Sequence, residues 1–179
     1  LALNPDMILA GNDAGPPETM LLLEASAVPV VRIETEYSQE GVLAQIGAIA
    51  QVLGVDGSAL TAAREEAFAR LAAMREDVAP MRAMFILSGA GGRVMASGRG
   101  TGADAMLWLA GAENVLAGFG GYRQVTDEAL IAAAPEVIVM MNRDGDHALS
   151  DEQIRAHPAL GLTTAAQEGR ILRMDGAFM

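Results

Sequence analysis

Residues Met84–Gly111 read Met-Phe-Ile-Leu-Ser-Gly-Ala-Gly-Gly-Arg-Val-Met-Ala-Ser-Gly-Arg-Gly-Thr-Gly-Ala-Asp-Ala-Met-Leu-Trp-Leu-Ala-Gly. A short apolar run leads into a glycine-rich loop and then into an apolar helical pattern. Open α/β sheets build ligand crevices at their carboxyl edge from this succession of buried strand, pliable loop and helix. The segment divides the chain. The residues before it read as the end of one lobe and a connector, and the residues after it as the rest of a second lobe.

Upstream, Ser58 to about Val78 is the longest helical pattern, ended by Pro80. Leu60, Ala63, Ala67, Leu71 and Met74 form its apolar stripe, and at about 1.5 Å per residue it spans roughly 30 Å. The stripe is rich in alanine and narrow, so the helix suits a position across two lobes as well as within one. Further back, Leu1–Asn4 reads as a helix tail stopped by Pro5, and Met7–Ala10 as a buried strand. Gly11–Pro17 reads as a turn-rich loop, Glu18–Ala25 as a short helix and Val28–Ile33 as a strand. Ser38 opens a helix whose face repeats Val42, Leu43, Ile46, Ile49, Ala50 and Leu53 until Gly54 and Gly57 break it.

Downstream, Thr101–Ala110 is a helix with Thr101 and Asp104 in capping-box relation. Tyr122 and Arg123 come after Gly118-Phe-Gly-Gly in a loop leading to a helix from Asp127 to Ala134, capped by Thr126 and stopped by Pro135. Val137–Met141 is a buried strand. Ser150–Gln153 is a capping box for a helix ending before Pro158, and Ile171–Met174 is a last strand. Strands alternating with helices imply an α/β class with a parallel sheet. Leu1–Ala10 also echoes Ile131–Met140: each reads helix tail, Pro, acid, buried strand. The echo suggests a duplicated lobe. The resulting organisation is the end of an N-terminal lobe over 1–57, a connecting helix over 58–79 and a C-terminal lobe over 80–179.

Composition narrows the function. Half of the 179 residues are hydrophobic, enough for a sizeable core. Twelve basic against 23 acidic residues give a net charge of -11. That argues against nucleic acid, since no basic stripe exists to neutralise phosphates. An anionic small molecule remains open to one or two placed arginines. The absence of cysteine excludes disulfides, thiolate metal sites and a Cys nucleophile. No apolar run approaches the ~18 residues of a membrane span. The chain opens on a helix tail and stops just after a strand-like run, so it is expected to be an internal fragment.

The glycines invite a dinucleotide reading, in which the 89–102 loop serves a nucleotide-dependent enzyme. Gly89-Ala-Gly91-Gly92 lacks the third glycine of G-x-G-x-x-G, and no strand-ending acid stands about 20 residues on. No G-x-S-x-G elbow is present. His147 and His157 lack metal-ligand spacing: His157 reads as a helix-end residue capping carbonyls and His147 as a solvated loop residue. Arg143, just after the Val137–Met141 strand, sits where a carboxylate clamp would. Arg99 precedes a helix N-terminus that would add to an anion site. Tyr122 and Arg123 lie in a loop that can point at the same edge, whereas Tyr37 reads as surface packing.

Several segments carry a family resemblance: Leu-Asn-Pro-Asp-Met-Ile-Leu-Ala, Ala-Gly-Pro-Pro, Val-Pro-Val-Val, Met-Ala-Ser-Gly-Arg-Gly-Thr-Gly-Ala-Asp-Ala, Gly-Phe-Gly-Gly-Tyr-Arg, Ala-Ala-Pro-Glu-Val-Ile-Val-Met and His-Pro-Ala-Leu-Gly-Leu-Thr-Thr-Ala-Ala. In this order the chain resembles a periplasmic haem-binding protein of a bacterial haem-uptake ABC transporter. More broadly it resembles the helical-backbone substrate-binding proteins that carry iron complexes and cobalamin. The resemblance implies two Rossmann-like lobes bridged by one long helix, here Ser58–Val78, with the first lobe incomplete in this chain. It implies haem as the transported ligand in an interlobe cleft, delivery to an inner-membrane ABC permease, a periplasmic location and a role in iron uptake without catalysis. The carrier is expected to act as a monomer.

The family's iron ligand is a tyrosine in a Gly-Tyr-x-Arg segment that would precede Leu1. The histidine that some members place after the strand at Met84 is replaced by Gly89-Ala-Gly91-Gly92, so no metal ligand is assigned. The resemblance nominates Tyr122 and Arg123, at the echo position of that tyrosine, together with Arg143, Arg99, Gly91 and Gly92. Asn12, Asp13 and Gly15 would line the first lobe's rim. A ferric siderophore or cobalamin in the same fold is the nearest alternative cargo.

Overall fold

The computed structural model describes residues 3–142 and 149–175. The chain divides into two compact units, Leu1–Arg70 and Leu71–Met179.

The first unit opens with β1 (Ile8–Gly11), α1 (Pro17–Glu24) and β2 (Val30–Ile33). The two strands pair in parallel, Ile8 opposite Val30 and Gly11 opposite Ile33. Next come α2 (Gln39–Leu53) and α3 (Ser58–Arg75). The Ser38 hydroxyl accepts the Gly41 N–H and starts α2, and Gly54 at φ 65° ends it, as the sequence predicts. Asp56 fixes the start of α3 by accepting the Ser58 N–H at 2.9 Å. That bond lowers the pKa of the Asp56 carboxyl, and the Ser58 hydroxyl adds to it.

Two elements differ from expectation, the second a helix that runs past the first unit's end at Arg70. β1 is half-buried rather than buried, and α3 ends at Arg75 with no buried residue. Leu60, Leu71 and Met74 of its apolar stripe are exposed. Met20 and Ile33 are the buried apolar residues of the described first unit.

The second unit holds a six-stranded sheet. Its elements are β3 (Met81–Ser88), β4 (Val94–Ser97), α4 (Gly102–Leu109), β5 (Ala112–Asn114), β6 (Tyr122–Val125), α5 (Asp127–Ala133), β7 (Val137–Asn142), α6 (Asp151–Ala156), α7 (Thr164–Gln167) and β8 (Ile171–Asp175). The strand order is β6-β4-β3-β7-β8, with β5 also pairing β3. β3, β5, β6, β7 and β8 run in one direction, and β4 alone runs against them, pairing antiparallel with both β3 and β6, so the sheet is mixed rather than parallel.

β3 alternates across the sheet as a pleat requires. Met84 and Ile86 join Val94, Leu130, Ile138, Met140, Ile154 and Leu160 on one face. Phe85 joins Ala103, Leu107, Val137 and Val139 on the other. Burial on both faces is why β3 and β7 read as unbroken apolar runs. The predicted Ser150 capping box is present with both of its hydrogen bonds.

The echo between the two chain segments has a structural counterpart. Asn4 at φ 45° and Ala134 at φ 42° are the two described non-glycine residues with left-handed backbone, and each directly precedes the proline of its repeat. The strands after these prolines then make the same bond: the Ile8 N–H donates to Pro29 O at 2.9 Å and the Ile138 N–H to Arg170 O at 3.0 Å. The likeness extends beyond what the sequence revealed. Val30-Val-Arg-Ile-Glu34 of β2 stands where Ile171-Leu-Arg-Met-Asp175 stands in β8, with Ala10 opposite Arg32 and Met140 opposite Arg173. Arg32 bonds Glu24 of α1 and Gly11 O, and Arg173 bonds Asp151 of α6 and Leu149 O. The two units therefore share one strand–helix–strand module.

Candidate functional site

In the second unit the segment from Ser97 to Asp104 is pinned from three sides. Ser97 is fully buried, and its hydroxyl meets that of Thr101 at 2.5 Å. Thr101 caps α4 by accepting the Asp104 N–H at 3.0 Å. The Asp104 carboxylate does not return to the Thr101 N–H as a capping box would. It accepts the Gly100 N–H at 2.9 Å and the Asn114 side-chain amide at 2.8 Å. Asn114 also donates to Ser97 O and accepts the Leu116 N–H. Asn114 was not legible as a site residue, because its partners come from three separate segments. A carboxylate of its own first turn thus stands at the N-terminus of α4.

Arg99 sits on this braced segment. Its N–H donates to Phe119 O at 2.7 Å, and its carbonyl accepts the Gly121 N–H at 3.0 Å. Gly98 packs directly against Phe119, leaving no room for a Cβ. The main chain is therefore clamped, while the guanidinium of Arg99 has no partner among the described residues.

Tyr122 and Arg123 lie on strand β6 rather than in a loop, opposite Ser97 and Ala96. Successive strand residues point to opposite faces, so the two do not act as one pair. Arg123 lies 5.6 Å from the Phe119 ring centroid. The structure thus gathers Arg99, Phe119, Tyr122 and Arg123 beside β4. Phe119 was missed because a lone aromatic among glycines carries no periodicity.

After β3 the chain turns through Gly89–Gly92. Gly91 at φ 64° and Gly92 at φ 74° face open space and serve the turn itself. The turn leads into β4, not into a helix, so the strand-to-helix geometry of a dinucleotide site is absent. A cavity of about 420 Å³ opens there, lined by Gly89, Gly91, Gly92, Leu149, Gln153 and His157. His157 caps with polarity opposite to the expectation: its Nδ1 accepts the N–H groups of Ala159 at 3.2 Å and Leu160 at 3.3 Å. In the neutral ring the proton then sits on Nε2. Arg143 and His147 lie outside the described residues.

In the first unit Asn12 comes directly after β1. Its side chain donates to Glu34 at 2.8 Å and accepts the Thr35 N–H at 3.3 Å. Asp13 accepts the Tyr37 hydroxyl at 3.3 Å, so Tyr37 has a tie that its reading as surface packing did not foresee. Gly15 precedes Pro16 in the same loop through a cis peptide bond. A cavity of about 550 Å³ beside this loop is lined by Asn12, Ala14, Pro17, Met20, Glu24 and Arg32. No helix among the described residues is long and apolar enough to cross a membrane.

A family model described as "Periplasmic binding protein" matches residues 1–177. The chain belongs to the periplasmic binding protein family. Solved structures that this periplasmic binding protein resembles include three heme-binding proteins. The first is the periplasmic heme-binding protein BhuT in complex with two hemes, at 33% identity and TM-score 0.82, covering 99% of this chain and 69% of that one. The second is the periplasmic heme-binding protein RhuT from Roseiflexus sp. RS-1 in apo form, at 27% identity and TM-score 0.88, covering 98% and 68%. The third is a periplasmic heme-binding protein from Pseudomonas aeruginosa, at 29% and 0.81, covering 97% and 64%. The chain therefore spans about two thirds of the length of these relatives. No curated protein sequence matches.

Proposed function

We propose that the chain is part of the substrate-binding component of an ABC importer. It binds haem as cargo in the periplasm, hands it to the inner-membrane permease and catalyses no reaction. The observation that carries this reading is the 33% identity to heme-bound BhuT across 99% of the chain. The carrier works as a monomer.

The chemistry of the second unit supports an anionic, flat, aromatic cargo. Arg99 offers an unpaired guanidinium on a main chain already held by hydrogen bonds, so little backbone ordering is left to cost affinity. Arg123, 5.6 Å from the Phe119 ring centroid, supplies a second cation and Phe119 a ring. Arginine suits the propionates of haem because its planar fork pairs with carboxylates. Gly91 and Gly92 leave open space beside the turn after β3, where a flat macrocycle can approach backbone. Asn12, Asp13 and Gly15 form the corresponding ligand edge of the first unit, and Arg143 is a further propionate partner.

Hemin titrated into the full-length protein and into its Arg99→Ala and Arg123→Ala variants tests this reading. Each substitution is expected to weaken binding roughly 10-fold, about 1.4 kcal/mol. Unchanged affinity in both variants removes these arginines from the site.

A further inference from the structure

The cavity at the turn after β3 offers one kind of chemistry. Two polar side chains line it, Gln153 and His157. Each has its acceptor already taken by main chain. Gln153 Oε1 accepts the Ser150 N–H at 2.8 Å in the capping box of α6. His157 Nδ1 accepts the Ala159 and Leu160 N–H groups. What remains on each is a donor: the amide NH2 of Gln153, and the Nε2–H that a neutral imidazole carries when Nδ1 accepts. Neither donor has a partner among the described residues.

The other walls add no acceptor side chain, being glycines, Leu149 and Ala156. The chain has 23 acidic residues against 12 basic ones, yet no carboxylate among the described residues lines this cavity. Its shape is held from behind. Leu149 is buried and fills the space where a Cβ on Gly89 would stand. Its carbonyl accepts a hydrogen bond from Arg173 Nη2 at 2.6 Å. Gln153 on α6 and His157 at its C-cap are four positions apart, the spacing that places side chains on one face.

We propose that this cavity is a carboxylate subsite, in which the Gln153 amide and the His157 Nε2–H donate to one carboxylate of the cargo. A wall with donors and no acceptor side chain suits a group that only accepts, and an ionised carboxylate is such a group. The bonds are charge-assisted on the ligand's side alone, so the subsite takes the anion without a second buried charge. The inference rests on the haem reading above, because haem brings propionates. It adds neutral donors at the 89–92 turn to the arginines beside β4.

Titration of the full-length protein with hemin and with hemin dimethyl ester tests it. The ligands share iron and macrocycle, and the ester has no carboxylate. Gln153→Glu keeps the capping-box acceptor, a position where glutamate is usual, and turns the remaining donor into a carboxylate. It is expected to weaken hemin about 10-fold and the ester less than about 2-fold. His157→Asn keeps an acceptor for the Ala159 and Leu160 amides and removes the Nε2–H. The same pattern is expected, so either variant gives the reading if the other does not fold. Unchanged hemin affinity in a folded variant, or equal loss for hemin and ester, overturns the subsite alone. A wild-type protein that binds the ester as tightly as hemin also overturns it. Hemin that does not bind the wild type overturns the haem reading, and the subsite with it.

Discussion

Arg99 and Asp104, five positions apart, hold opposite charges and opposite duties. Asp104 commits its carboxylate inside the protein, to the Gly100 N–H and the Asn114 amide, whereas Arg99 keeps its guanidinium without a partner among the described residues. Asp104→Ala leaves both donors unpaired and is expected to cost about 1–3 kcal/mol in urea unfolding. Asn114→Ala, which removes the hub of the same network, is expected to fall in that range too. Asp56 gives a pH-dependent counterpart. Its pKa is lowered in the folded state by the Ser58 bonds, so its contribution is present above the unfolded carboxylate value of about 3.9 and is lost as pH falls through the lower folded value. The Ser58 amide is therefore expected to exchange at a pH-corrected constant rate from pH 7 to 5 and to lose protection below pH 4. Constant protection down to pH 2 contradicts that role.

At the scale of elements, the second unit's sheet carries the stability. Phe85 is fully buried on one face between α4 and the strands, and Phe85→Ala is expected to cost about 3–5 kcal/mol by denaturant unfolding. Arg75, at the end of α3, lies 4.7 Å from the Trp108 ring centroid. Arg75→Gln is expected to cost about 0.5–1 kcal/mol and to shift the emission of Trp108, the chain's one tryptophan. These elements differ in how readily they could be read from the chain. β3 and β7 were legible because burial on both faces makes each a continuous apolar run, and the caps at Ser38, Thr126 and Ser150 were legible because a cap is a local rule. β4 and β6 were not. Both are short strands beside glycines, paired antiparallel to each other, and Tyr-Arg-Gln-Val exposes most of its side chains, so no alternation marks it. The kinship of Arg32 and Arg173 is not legible in the chain, because it lies in tertiary pairing and not in a motif.

For the molecule as a whole, the repeated module, the match to the periplasmic binding protein family and the arginine-bearing edge of the second unit converge on a carrier. The site was legible only in part. Arg99 and Arg123 could be named from the sequence, but the brace that holds them needs Asn114, Phe119 and the loop at Gly120–Gly121, which only the fold brings together. The histidine at the second unit's cavity shows the same gap: His157 uses its Nδ1 to hold backbone, a duty that spacing alone could not assign. What such a carrier takes up is decided by the identity of its cargo. It is tested most directly by equilibrium titration of the full-length protein with hemin, read at the Soret band, in parallel with cyanocobalamin and a ferric siderophore. A saturable Soret shift with hemin and no binding of the other two is the predicted result. Saturable binding of cyanocobalamin or the siderophore, with no spectral change on adding hemin, would contradict it.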